Sequence, residues 1–302
     1  MQKLTVLVTG ASGFIGSHLL PFLLEQQYQV IALTRQKQKR SQYPHLTWVT
    51  DLEQVQHSEI DYVINLAGEN IGQKRWSEQR KRQLIESRVS TTEKLYEWLE
   101  RKQIYPKCII SGSAIGYYGI DPTEQWATVC DENSPPHDIF MSELCQAWEQ
   151  AALKFSNQNT KIIRLGVVFA GDGGILPQML LPIKLNMVSK IGTGLQPVVW
   201  IHIQDVLRAM LFLLTLESSQ KVYNLVAPEQ SNQQRFARIA ANVLKRKPFM
   251  RMPKCIFEWG LGEQSQLILN GQYVQPSALL AHGFEFSFPD LESALQQILR
   301  RD

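Results

Sequence analysis

The chain is poor in the features that would staple, anchor or electrostatically commit it. Its four cysteines, Cys108, Cys130, Cys145 and Cys255, stand far apart with no Cys-x-x-Cys. That spacing excludes a thiolate metal site and a disulfide framework, and reads as reduced, buried thiols. The longest apolar stretch, near Val206 to Leu216, is one core helix long and contains Arg208, so it cannot span a bilayer. The opening MQKLTVLVTGASG runs straight into strand and turn and leaves no room for a signal peptide. A net charge of +3 is too mild to point to nucleic acid. Repeats, low-complexity tracts and Gly/Ser linkers are absent. These absences predict a cytoplasmic protein with a small-molecule partner, no nucleic acid and no membrane; nothing in them sets the oligomeric state.

What is present is alternation. Leu4–Val8, Val30–Leu33, Tyr62–Leu66, Cys108–Ile110 and Ile162–Leu165 are short runs rich in Val, Ile and Leu, as in strands buried on both faces. Helical periods lie between them, notably Ser77–Lys102 and Phe140–Phe155. The pattern predicts an α/β fold, a Rossmann-type doubly wound parallel sheet with a smaller C-terminal substrate-side lobe. The nucleotide-binding domain is expected over 1–170, with core contributions from 200–227. The lobe is expected over 171–302, including an extension over 250–302. Pro21 falls inside the first helix and predicts a local kink.

The first strand runs into Thr9-Gly10-Ala11-Ser12-Gly13-Phe14-Ile15-Gly16. Between strand and helix, Gly10 permits a tight turn, Gly13 lets backbone approach a pyrophosphate, and Gly16 lets the helix lie close to the sheet. The helix N-terminus then offers free N–H groups and a positive dipole to phosphate. The second strand ends Thr34-Arg35. A carboxylate there would accept from a ribose 2′-hydroxyl, whereas a planar guanidinium suits a 2′-phosphate, so Arg35 predicts NADP. The alternative is that Arg35 solvates a loop, since Lys37, Lys39 and Arg40 follow it.

These segments, followed by Asn65-Leu66-Ala67-Gly68, Ser111-Gly112-Ser113-Ala114 and Trp200-Ile201-His202-Ile203-Gln204-Asp205, resemble in order the motifs of extended short-chain dehydrogenases/reductases. Leu66-Ala67-Gly68-Glu69-Asn70-Ile71, Arg75-Trp76, Leu180-Leu181-Pro182, Gly271-Gln272-Tyr273-Val274-Gln275-Pro276 and Gly283-Phe284 resemble more narrowly one NAD(P)-dependent epimerase family. That family has a characteristic C-terminal extension. Some of its members are described as sugar-nucleotide epimerases, and plastid relatives as cell-division factors. The resemblance covers essentially the whole chain. It implies NADP, held by Thr34, Arg35, Leu66, Ala67 and Arg88. Gly10, Ser12, Gly13, Phe14, Ile15 and Gly16, with Gly68, Leu165 and Gly166, complete the candidate cofactor site. Apart from Arg88, the basic cluster Arg80, Lys81 and Arg82 reads as a solvated helix face.

The superfamily's Tyr-x-x-x-Lys is missing. None of the nine tyrosines has a lysine four positions later. Counting back from Trp148-Glu149, Met141 takes the Tyr position and Cys145 the Lys position, and neither can exchange a proton as a phenol does. Candidate proton-handling residues are Ser113, Tyr117 with its neighbour Tyr118, Glu69 and His202, with Asn70 nearby. Each has a plainer reading: a turn serine, aromatic packing, a solvated loop carboxylate, and core or hydrogen-bonding duty. Arg164 is expected to begin the substrate side of the pocket. Two functions follow: an NADP(H)-dependent reductase, dehydrogenase or epimerase with a non-standard proton donor, or a non-catalytic NADP(H)-binding regulatory or cell-division-related module. From Arg251 onward the chain is too short for a strong core of its own. Ile256, Phe257, Trp259, Leu261, Phe284, Phe286 and Phe288 are therefore expected to bury against the Rossmann domain.

Overall fold

The computed structural model describes residues 3–36, 43–56 and 59–299; the basic run Lys37, Lys39 and Arg40 lies outside them. The central sheet is built from β1 (Thr5–Thr9), β2 (Gln29–Leu33), β3 (Leu46–Val49), β4 (Tyr62–Asn65), β5 (Cys108–Ala114), β7 (Thr160–Leu165) and β11 (Val222–Leu225). Its order is β11-β7-β5-β4-β1-β2-β3, and every pair is parallel. Because strand side chains alternate, Val6 and Val8 enter one core while Leu7 enters another on the opposite face. The first core is covered by α1 (Phe14–Glu25) and α5 (Ile203–Thr215), the second by α2 (Glu78–Arg101) and α3 (Phe140–Leu153). The strand order reverses between β1 and β4, which opens a crevice at their carboxyl ends.

The helix expected over Ser77–Lys102 ends where its caps dictate. The Ser77 side chain accepts from the Arg80 N–H, Glu78 and Arg101 oppose the two ends of the dipole, and Lys102 closes the helix. α1 runs unbroken through Pro21, which lies on its exposed side.

The remaining strands are short: β6 (Val129–Cys130), β8 (Val167–Phe169), β9 (Val188–Ile191), β10 (Trp200–His202), β12 (Met250–Met252) and β13 (Tyr273–Val274). They pair β10-β8, β12-β9 and β13-β6, all parallel. A separate core joins α4 (Leu176–Lys184), α6 (Gln233–Val243) and α10 (Leu291–Leu299) around Phe169, Trp200 and Phe236.

The extension does not bury as one block. After α7 (Lys254–Leu261) and α8 (Gln266–Leu269), residues of α9 (Ser277–Ala281) and Phe284 enter the first sheet core, and α10 packs on α6. Phe286 and Phe288 are partly buried against these cores. The expectation fails at α7, which buries none of its residues: Ile256 is 52% exposed and Trp259 87%. Apolar residues on a short helix say nothing about which surface they face. Cys255, expected to be buried, is likewise exposed on α7.

Candidate functional site

The glycine-rich turn has the close contacts that its sequence requires. Gly10 has φ +67°, and a Cβ there would come within 2.6 Å of the Leu66 carbonyl carbon. The turn after β1 therefore lies directly on the chain leaving β4. A Cβ at Gly16 would meet the Gly10 oxygen at 2.4 Å, so only glycine lets α1 start this close to the turn. α1 begins at Gly13 without a side-chain cap, which leaves its first N–H groups without side-chain competitors. The Phe14 ring covers Gly173 and Gly174, and His18 faces Asp172 at 3.1 Å. The turn after β8 thus reaches the start of α1, with Ile15 partly buried below. Thr34 is buried and joins Ser12 through their hydroxyls at 3.3 Å, which puts exposed Arg35 beside the same turn.

The loop after β4 is held by two guanidinium groups from α2. Arg88 donates to the Glu69 carbonyl at 2.9 Å and to the Leu84 carbonyl at 3.1 Å, lies against Gly68, and stacks 5.1 Å over Trp148. Burial pushes the Arg88 guanidinium below its usual value. Arg80 is buried, contrary to the reading of that cluster as a solvated face. It bonds the Glu69 carboxylate and donates to the Asn70 carbonyl at 2.9 Å. The Arg80 hydrogen bond, with the nearby charges of Arg35 and Lys74, holds the Glu69 carboxyl below the usual carboxylate range. At neutral pH Glu69 is therefore an ion-paired carboxylate with no proton to donate, and only the base half of its expected role survives. Asn70 spends its side-chain oxygen on the Gly72 N–H.

The α3 side is organised around a buried ion pair. Met141, Cys145 and Glu149 succeed one another at four-residue steps on α3. Met141 and Cys145 face Gly116, where a Cβ would meet the Met141 methyl at 2.6 Å and the Cys145 sulfur at 3.6 Å. Burial raises the Cys145 thiol to about 11, so neither residue at the Tyr and Lys positions carries a proton that moves near neutral pH. Arg164 on β7 grips Glu149 with two parallel bonds of 2.8 Å, and both side chains are nearly inaccessible. Burial opposes the Arg164 charge, and Glu149 with Tyr118 outweighs it, so its pKa is raised. Arg164 thus does not open a substrate pocket as expected; its charge is already used. Leu165 and Gly166 follow it at the β7 end, where Gly166 is hemmed by the Val199 carbonyl and the Val226 side chain.

Ser113 is buried and donates to Glu149 at 2.7 Å. Tyr118 is buried too, donating to Asn224 at 2.7 Å and accepting from Arg164 at 2.9 Å; burial pushes its phenol far up. Tyr117 differs. It is half-buried, with the Arg164 guanidinium 3.4 Å from its ring centroid, and its hydroxyl makes no hydrogen bond with a described residue. His202 is not in this group. It is buried, caps α5 by accepting from the Gln204 N–H at 3.1 Å, and packs on Phe288. Since Nδ1 accepts, Nε2 carries the proton and donates to Gln297 at 3.0 Å. Helix-capping geometry overrides the strand-end position that suggested chemistry.

Sequence reasoning missed Glu149, using Trp148-Glu149 only as a landmark. The four-residue step from Met141 through Cys145 would have placed it on the same face.

The NAD dependent epimerase/dehydratase family matches residues 6–226, and a domain of unknown function, DUF1731, matches 252–298. The chain belongs to the NAD-dependent epimerase/dehydratase family. It is 35% identical to an epimerase family protein of Staphylococcus epidermidis over 97% of this chain and 98% of that one. One from Staphylococcus saprophyticus is 34% identical over the same shares. The crystal structure of the human epimerase family protein SDR39U1 with NADPH superposes with a TM-score of 0.88 at 32% identity, covering 98% of this chain and 99% of that chain. As a member of this epimerase family the chain is an NAD(P)-binding protein of the extended short-chain dehydrogenase/reductase type. The residues present fit such a dinucleotide: the glycine cradle admits no side chain at Gly10 or Gly16, and the start of α1 lacks a side-chain cap.

Proposed function

We propose that the chain is an NADP(H)-dependent reductase, dehydrogenase or epimerase acting on a small molecule, with Tyr117 as its proton-holding residue. The observation that carries the reading is the Arg164 guanidinium 3.4 Å from the Tyr117 ring centroid, beside a hydroxyl with no hydrogen-bond partner among the described residues. A cation over an aromatic face is attracted to it, so Arg164 fixes the ring's orientation while leaving its hydroxyl for a ligand. Arg164 also fixes Glu149, which in turn accepts a hydrogen bond from the Ser113 hydroxyl, so one buried cation orders both candidates. When bound, the dinucleotide supplies or accepts a hydride. The chain's own residues bind its pyrophosphate at Gly10, Gly13 and the first turn of α1, with Phe14 and Ile15 behind. Leu66, Ala67, Gly68, Arg88, Leu165 and Gly166 form the walls. Arg35, beside Thr34 and Ser12, binds the 2′-phosphate, and this supports NADP over NAD, as does the NADPH of the human relative.

A panel of carbonyl compounds and sugar nucleotides, offered to the NADPH-loaded protein, tests the reading. Specific turnover that is lost in Tyr117→Phe with the NADPH Kd unchanged supports it; turnover indifferent to that change removes Tyr117. A second reading, a non-catalytic NADP(H)-binding module, is favoured by Met141 and Cys145 at the usual Tyr and Lys positions. Tight NADPH binding without turnover across the panel would select it.

A further inference from the structure

The charge of this chain is unevenly distributed. Residues 173–204 and 230–257 contain no Asp or Glu but nine Lys and Arg, against a whole-chain excess of only three, so the rest of the molecule is net negative. These segments build α4, β9, β10, α6, β12 and the start of α7. Lys184, Lys245, Arg246, Lys247 and Arg251 are exposed, and none pairs with a carboxylate among the described residues.

Large apolar side chains emerge among these cations. Phe249 is 79% exposed, Leu185 59%, Leu181 55%, and Met187 and Met250 each 43%. Backbone and side-chain bonds hold them in one place. The Lys247 N–H donates to Asn186 at 2.8 Å, the Met250 N–H donates to the Met187 carbonyl at 2.8 Å, and the Met187 N–H donates to the Pro182 carbonyl at 2.8 Å. Leu181 and Leu185 lie one helical turn apart at the end of α4. The patch therefore joins the end of α4, the start of β9 and the start of β12. Its ordered backbone presents apolar side chains that the fold does not use.

We propose that this face docks on an anionic phospholipid bilayer. Cations at the rim meet lipid phosphates, and apolar side chains at the centre reach the boundary with the acyl chains below. The charge complementarity rests on the acid-free composition of both segments. A nucleic acid would satisfy the cations but offers little to five exposed apolar side chains, and a second copy of the chain would set cation against cation. This departs from the expectation of no membrane partner, although none of the described helices is long and apolar enough to span a bilayer. Docking on a surface needs none.

The test is co-sedimentation of the full chain with vesicles of phosphatidylcholine alone and of phosphatidylcholine with phosphatidylglycerol, at low and at raised salt. Binding is expected to the anionic vesicles only and to fall with salt. The triple change Lys245→Gln, Arg246→Gln, Lys247→Gln should weaken the partition about a hundredfold, and Phe249→Ser about tenfold. Both variants alter exposed side chains, so NADPH binding and melting temperature should match the parent. Equal binding to neutral vesicles, no binding to either, or binding that ignores these substitutions would overturn the proposal. So would a dimer that the same substitutions dissociate, or capture of an oligonucleotide in place of vesicles. None of these outcomes depends on the chain's being an enzyme.

Discussion

Glu149–Arg164 and Glu69–Arg80 make the same kind of bond in opposite surroundings. In the first, both side chains are below a tenth exposed and the guanidinium grips with two parallel bonds. In the second, Arg80 is as buried but Glu69 keeps about a third of its side chain in solvent. The enclosed pair joins α3 to β7 and takes in Ser113, Tyr117 and Tyr118. The open pair holds a loop beside the cofactor crevice. Burial makes the first pair costly to break and leaves the second as a modest, solvent-screened tether.

Four changes would sharpen or break that contrast. Arg164→Met should have the largest effect, because it strands a buried carboxylate. A loss of about 3–5 kcal/mol is expected in urea unfolding, with much of it restored by adding Glu149→Leu. A small loss would mean that the pair is wetter than its geometry implies. Next comes Arg35→Asp at the cofactor end. Calorimetry should show NADPH weakened roughly ten- to a hundredfold and NADH spared, about 1.5–3 kcal/mol for a lost charge-assisted bond. Equal losses would take Arg35 out of the 2′-phosphate site.

Glu69→Gln should cost about 1–2 kcal/mol at neutral pH: the buried Arg80 loses its counter-charge, but the amide oxygen still accepts from it and the Glu69 side is partly solvated. Its pH dependence has a definite sign. The folded value of Glu69 lies below the unfolded carboxylate value of about 4.3, so its contribution is present above that pH. It is lost as pH falls through the folded value, where both states are protonated. A parent–variant difference that grew in acid would contradict the Arg80 pairing. Smallest of all, Met141→Leu removes no proton-bearing group. NADPH affinity and any turnover should stay within about threefold, and the volume-conserving swap should cost about 0.5 kcal/mol or less.

The sheet and the cofactor crevice were legible because period, turn chemistry and helix caps agree locally. β1, β2, β4, β5 and β7 fall on the expected runs, and α2 ends on Ser77 and Lys102. β3 and β11 were not anticipated as strands: Leu46-Thr47-Trp48-Val49 and Val222-Tyr223-Asn224-Leu225 each break their apolar residues with a polar one inside the run, so neither reads as a continuous apolar strand. The proton-handling side was less legible. Arg80 and Arg164 are arginines whose burial depends on a carboxylate brought near by the fold, and charge patterning along one helix cannot reveal such a partner. His202 misled for a related reason, its ring being consumed by a helix cap and by Gln297, ninety-five positions away.

The pairing of β13 with β6 bears on the order in which the molecule can be completed during synthesis. Glu132, just past β6, accepts from the Asn224 N–H at 3.0 Å and from the Ala278 N–H at 3.1 Å, and burial raises its carboxyl. Tyr273 and Val274 lie beside Val129 and Cys130. A ribosome emits residues at roughly 5–20 per second, so the middle of the chain waits on the order of ten seconds for these partners. Until then Glu132 cannot be enclosed with both N–H donors in place. The last segment therefore acts as the closing stitch of a fold whose glycine-rich turn was made first. A chain cut short before Ala278 would contain the full glycine cradle, yet it would remain a substrate for chaperones and proteases.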